Sequence, residues 1–250
     1  MVPAAPPPAQ QSQGHVEAGM GGSASSPSSS SSSSSSGVSS ASSSGAHAAA
    51  KGGLSKEEQS FHVNPNTKPI EVETGMASWY GPPYNKRRGS NGEIYDMNAL
   101  TAAHRTLPLG SVARVTNEKT GNWTLVRITD RGPFINGRVL DLSLAAAKKI
   151  DVWRAGLAPV KVEVLYAPAS LNSGGRWAVQ IGGFETQGSA EKLAGHLSHR
   201  YATAKVLTFG SPVGDWWVRV RVQDDDKKRA EEVARDTRTH EGGIFLVRLD

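Results

Sequence analysis

Apolar and polar positions divide this chain into three stretches with different rhythms. Up to about residue 70 there is no period: Met1 to Gln11 is rich in Pro and Ala, and Ser23 to Gly45 is almost wholly serine. Such a segment cannot bury enough apolar surface to offset its ordering entropy, so residues 1–70 are expected as a disordered tail and linker. From Glu71 the pattern changes to short alternating runs. "GMASWYG" (Gly75 to Gly81), "SVARVTN" (Ser111 to Asn117) and "WTLVRIT" (Trp123 to Thr129) read as strands, the last two joined across "EKTGN" as a hairpin. "VKVEVLY" places Val160, Val162, Val164 and Tyr166 on one face and Lys161 and Glu163 on the other. One short helix is expected in "LAAAKKI", with Ser143 as N-cap and Lys148 and Lys149 in the last turn. Many short strands with Gly and Pro turns predict a small closed barrel or sandwich over residues 71–166.

"APASLNSGG" (Ala167 to Gly175) reads as a linker, and residues 176–250 follow a second rhythm. "RWAVQIG", "AKVLTF", "WWVRVRV" and "GIFLVRL" read as strands. Between them lie two helical patterns. One sets Leu193, Leu197 and Tyr201 beside Ala190 and Ala194; the other turns Ala230, Val233 and Ala234 inward, with Asp225 or Asp226 as its cap. The order βαββαβ predicts a four-stranded antiparallel sheet with two helices on one face.

Composition narrows the chemistry. The formal net charge is +5, which favours an acidic polymer or anionic surface, but no Lys/Arg run carries interleaved aromatics, so nucleic acid is not expected. There is no cysteine, which excludes disulfides and thiolate catalysis, and no G-x-S-x-G. The opening "MVPAAPPPAQ" lacks a basic then apolar leader, and no apolar run is long enough for a transmembrane helix. The serine-rich tether ahead of folded domains nevertheless points to the cell envelope.

Proton-active residues gather in "GSNGEIYDMNALTAAHRTLPLG", Gly89 to Gly110. Turn signals at both ends make it a loop, where catalytic groups tend to sit. Glu93 and Asp96 each read in isolation as surface carboxylates, and His104 as a satisfied, half-buried imidazole. "VRITDRGPF" runs a strand into Asp130, which could point into a cleft or hold its own turn. Arg131 could pair with it or take a substrate carboxylate. Asp141 in "GRVLDLS" reads as a barrel or capping residue. Glu93, Asp96 and His104 have the donor types of a metal site, but their spacing fits no ligand motif, and no metal or cofactor is expected.

Taken together, "GMASWYG", "NGEIYD", "LTAAHRTLPLGSVARVTN", "VRITDRGPF" and "GRVLDLSLAAAKKI" resemble the rare lipoprotein A (RlpA) family of lytic transglycosylases. "WAVQIGGFETQGSAEKLAGHL" and "WWVRVRV" resemble a SPOR domain. The resemblance implies a double-psi β-barrel on residues 71–166 and, on 176–250, an α+β module that binds glycan strands lacking stem peptides. It implies cleavage of the β-1,4 bond between N-acetylmuramic acid and N-acetylglucosamine, leaving a 1,6-anhydro end. Glu93 falls on the family's catalytic position, with Asp96, His104 and Asp130 beside it. Glu93 would act first as acid and then as base, so its pKa should be raised. Tyr80 is either a sugar-stacking wall or barrel core. Trp216 and Trp217 face opposite ways, one in the core and the other free to stack on sugar. The expected partner is peptidoglycan, with division proteins as further candidates, and the chain is expected as a monomer in the periplasm or at a membrane. The family pattern also includes a lipobox cysteine, which this sequence lacks. A non-catalytic, expansin-like wall binder or a division-site scaffold is the alternative.

Overall fold

The computed structural model describes residues 53–82, 84–211 and 214–250, so the serine-rich run lies outside the described residues. Six strands close into a barrel: β1 (Glu71–Tyr80), β2 (Thr101–Ala103), β3 (Val112–Asn117), β4 (Trp123–Asp130), β5 (Arg138–Ser143) and β6 (Ala158–Tyr166). Around the barrel the order is β1-β5-β2-β4-β3-β6, with β1–β5 and β2–β4 parallel and the other pairs antiparallel. The barrel core is filled by Val115, Val126, Ile128, Leu140, Leu142, Val160 and Val162, with Ala77, Ala102 and Ala113 as the small members that a narrow interior requires.

The helix expected after β5 is α2 (Leu144–Lys149), where the Ala146 N–H donates to Ser143 Oγ at 3.2 Å. A further turn, α3 (Val152–Ala155), follows it. The segment read as tail carries a helix too. Before β1 lies α1 (Lys56–Ser60), with a capping box between Ser55 and Glu58. Glu58 is buried against β4, its Oε1 accepting from Thr124 Oγ1 at 2.7 Å and from the Leu125 N–H at 3.3 Å.

The face opposite the valines of β6 is covered too. Glu163 is buried: Arg114 donates to it twice, at 2.9 and 3.0 Å, and Lys161 Nζ lies at 3.3 Å. Arg114 also donates to the Pro65 carbonyl at 2.6 Å, so the chain ahead of β1 covers this side of the barrel. Tyr166, grouped with the valines, is half exposed at the end of its strand.

The second sheet holds β7 (Trp177–Phe184), β8 (Lys205–Gly210), β9 (Trp216–Arg221) and β10 (Gly243–Arg248) in the order β10-β7-β9-β8, all antiparallel. Helices α4 (Gln187–Arg200) and α5 (Lys227–Asp236) are capped by Thr186 and Asp226. They bury Ala190, Leu197, Ala230 and Val233 against Val179, Ile181, Val218 and Val220 on one face of the sheet. The opposite face carries Ala178, Phe209, Trp217, Phe245 and Val247, and here the barrel's Phe134 packs. Backbone bonds join the same two parts: Arg248 N–H donates to the Arg105 carbonyl at 3.0 Å, and Leu109 N–H to the Asp250 carbonyl at 3.2 Å. No helix among the described residues is long and apolar enough to cross a membrane.

Candidate active site

Strand β4 ends at Asp130, and the loop before β2 folds across that end. Its tight turn uses Gly92 at φ +86°, a left-handed conformation that glycine adopts without strain. The Asn91 N–H donates to the Thr129 carbonyl at 3.2 Å. Asp130 Oδ1 accepts three hydrogen bonds: from Ser90 N–H at 3.0 Å, Ser90 Oγ at 2.5 Å and Arg131 N–H at 2.8 Å. Its Oδ2 accepts none among the described residues. Burial raises the Asp130 pKa, although those bonds oppose the shift. The three donors hold Oδ1 as an acceptor, so a proton on this carboxyl belongs on Oδ2.

Glu93 has the opposite electrostatics. It is exposed, and Arg127 of β4 grips it with two bonds, at 2.7 and 3.1 Å. The Arg127 hydrogen bonds lower the Glu93 pKa below the ordinary value. The expected raised pKa is therefore corrected: a paired guanidinium and open solvent both favour the anion.

Register brings in a carboxylate that sequence reasoning set aside. Ala103 of β2 is the cross-strand partner of Asp130 on β4 and of Asp141 on β5. Both acids thus flank one small residue on one face of the sheet. Asp141 is fully buried; its Oδ2 accepts from Arg138 at 2.9 Å, and its Oδ1 has no hydrogen bond among the described residues. Burial pushes its pKa up to about 6 despite the Arg138 charge. The signal in the sequence was a charge held between Leu140 and Leu142 in an apolar strand.

Three tyrosines roof this corner. Tyr80 stacks on Tyr95 at 4.4 Å between ring centres and meets Tyr84 edge-on at 6.3 Å. Tyr80 is buried, so it is core rather than a sugar-stacking wall. The phenol of Tyr84, Asp141 Oδ1 and Arg138 Nε are buried without hydrogen-bond partners among the described residues. Such a concentration of unpaired polar atoms is unusual in a folded interior.

The remaining candidates are placed elsewhere. Asp96 is exposed and holds its own turn, accepting from the Asn98 N–H at 2.8 Å. His104 is buried but points away from the other acids: its Nε2 lies 2.9 Å from Glu73 Oε2, and its Nδ1 faces the N–H groups of Thr106 and Leu107. Arg131 is buried and donates to the carbonyls of His104, Leu107 and Asp250. Burial lowers its pKa to about 9. Trp216 and Trp217 do face opposite ways, but Trp217 is covered by Phe134 at 5.6 Å and Trp216 packs partly against the helix side. The structure thus brings Asp130 together with Ser90 and Asp141 and leaves Glu93 ionised on the rim.

Two family models match this chain: a lytic transglycolase domain over residues 72–162 and a SPOR domain over residues 173–245. Proteins described as endolytic peptidoglycan transglycosylase RlpA match from several bacteria. That of Campylobacter jejuni is 38% identical over 162 residues, covering 55% of this chain and 58% of the relative. That of Vibrio cholerae is 45% identical over 130 residues, 49% of each. This chain belongs to the RlpA family. Its barrel is of the double-psi type, and its second sheet is the SPOR domain. The RlpA protein of Neisseria meningitidis serogroup A is 54% identical over 92 residues, covering 37% of this chain and 38% of the relative. The chain spans about half the length of the curated RlpA relatives it matches. A Clavibacter michiganensis expansin aligns with 62% of the chain and 81% of its own at 17% identity, with a TM-score of 0.32, too low to bear on function.

Proposed function

We propose that this RlpA-family chain is an endolytic lytic transglycosylase of peptidoglycan, with Asp130 as its proton-transfer group. The observation that carries the assignment is the split between two carboxyls, one at the end of β4 and one on the loop that folds across it. Asp130 is held with Oδ2 open and its pKa raised, while Glu93 is fixed as an anion. Environments that push two acids apart in this way separate acid from anion roles.

In the reaction, the Asp130 carboxyl gives its proton to the glycosidic oxygen as the bond from the muramyl C1 breaks. The C6 hydroxyl of the same sugar then bonds to C1, and its proton returns to Asp130. The carboxyl ends as it began, so one group serves both steps. Glu93, kept charged by Arg127, stabilises positive charge developing on the sugar ring. His104 acts at a distance by fixing the 104–107 loop. The SPOR domain favours strands without stem peptides, which fits action after an amidase. The setting is the cell envelope, during division or wall remodelling.

Purified peptidoglycan, intact or amidase-treated, would be digested and its products identified by mass spectrometry. Wild type should release anhydro-muramyl ends, and Asp130→Asn should lower the rate by about 10² to 10⁴-fold. Activity retained in Asp130→Asn but lost in Glu93→Gln would return the acid role to Glu93. No anhydro ends from wild type that still sediments with glycan would leave a wall-binding protein.

A further inference from the structure

The segment that leads away from Asp130 is held by the second domain. Phe134, four residues on, is buried between Trp217 at 5.6 Å and Phe245 at 5.7 Å between ring centres. Arg131, between them, touches three places at once. Its N–H meets Asp130 Oδ1, its Nη1 donates to the His104 and Leu107 carbonyls at 3.0 and 2.7 Å, and its Nη2 donates to the Asp250 carbonyl at 2.5 Å. Arg105 donates to the Pro133 carbonyl at 3.3 Å and lies over the Phe245 ring at 5.8 Å. On the same sheet face, Arg219 lies over Phe209 at 5.1 Å and donates twice to Gln180, and its charge interacts with that of Asp130.

We propose that the second domain is part of the catalytic centre: its helix-free sheet face, through Trp217 and Phe245, grips Phe134 and thereby positions Asp130 for proton transfer. Trp217 is a positioning residue, acting through Phe134. The physical reason is leverage over a short span. Only three residues separate Asp130 from Phe134, and a carboxyl displaced by about an ångström loses up to about 100-fold in rate. The inference rests on the lytic transglycosylase reading for its kinetic arm alone.

The full chain would be compared as wild type, Trp217→Ala, Trp217→Phe, Phe134→Ala and the Phe134→Ala/Trp217→Ala double variant. Two readouts are needed: kcat and KM for release of anhydro ends, and the titration midpoint of the Asp130 carboxyl by NMR. The charged and titratable groups that bear on that midpoint are Tyr80, Tyr84, Tyr95, Asp141, Arg131 and Arg219, all present in every variant. Each alanine variant should lower kcat about 10- to 100-fold with little change in KM. The Asp130 midpoint should fall toward the ordinary carboxylate range as the loop loosens and water reaches it. The double variant should be no worse than the poorer single one, because both break one contact. Trp217→Phe should restore most of the loss. A midpoint and kcat left unchanged by both alanine variants, or losses that multiply in the double variant, would overturn the proposal. If Trp217→Ala unfolds the second domain, Phe134→Ala, whose change lies in the barrel loop, decides the matter. If wild type releases no anhydro ends, the enzymatic reading fails, while the Asp130 midpoint still decides whether the second domain holds this loop.

Discussion

At the scale of single residues, the hydrogen-bond pattern fixes what the side chain is for. Two backbone N–H groups point at His104 Nδ1, which must therefore accept, so Nε2 carries the proton and donates to Glu73. The imidazole fastens the 104–107 loop to β1. His104→Ala should lower stability by about 1 to 3 kcal/mol, because it leaves buried N–H groups unpaired; urea unfolding would measure it. His104 was legible as a half-buried, satisfied histidine, but its partner was not. Glu73 lies 31 positions away, and only closure of the barrel brings it near. Glu58 makes a pH prediction. Burial opposes its charge, but hydrogen bonds from Lys149, the Ser55 N–H and Thr124 outweigh that and lower its pKa from 4.5 to about 2. Folding thus favours the anion. The stabilisation is complete above the unfolded pKa and is lost as pH falls from about 4.5 to about 2. Glu58→Gln should therefore cost about 2 to 3 kcal/mol near neutral pH and almost nothing at pH 2, as thermal melts across that range would record.

At the scale of elements, local signals were sufficient wherever the partner was close in sequence. The Ser143 cap is of this kind, and it reaches further than a cap: its Oγ also donates to the Ala99 carbonyl at 2.6 Å, tying α2 to the loop before β2. Ser143→Ala should cost about 1 to 2 kcal/mol, above what a cap on a surface helix contributes, by denaturant unfolding. Ser55-x-x-Glu58 was an equally local capping-box signal, yet a helix of five residues has too little apolar pattern to stand out from the tail. Strand alternation was read correctly for Val160, Val162 and Val164, whereas Glu163 on the alternate face was not solvent-facing. Period two fixes which residues share a face, but not what covers that face.

At the scale of the whole molecule, barrel and sheet share an aromatic cluster built from both: Phe134 from one, Phe209, Trp217 and Phe245 from the other. That packing, with the backbone bonds at Arg105 and Leu109, should couple their unfolding. Calorimetry of the full chain is expected to give a single transition, which Trp217→Ala would split into two as the domains uncouple. The linker composition left this coupling unread, because small polar residues between two folded stretches say nothing of the surfaces on either side.

The sequence alone determined most strand and helix types, the family resemblance, and the gathering of acids on the loop before β2 and at the end of β4. These depend on period, caps and turn chemistry, which are encoded within a few residues of where they act. Tertiary structure decided the surroundings of each acid. Asp130 is half-buried beside Ser90, Glu93 is held as an anion by Arg127, and Asp141 sits across Ala103 from Asp130 because barrel closure sets the register. A carboxyl's proton affinity is a property of its surroundings, and those come from residues far apart in the chain.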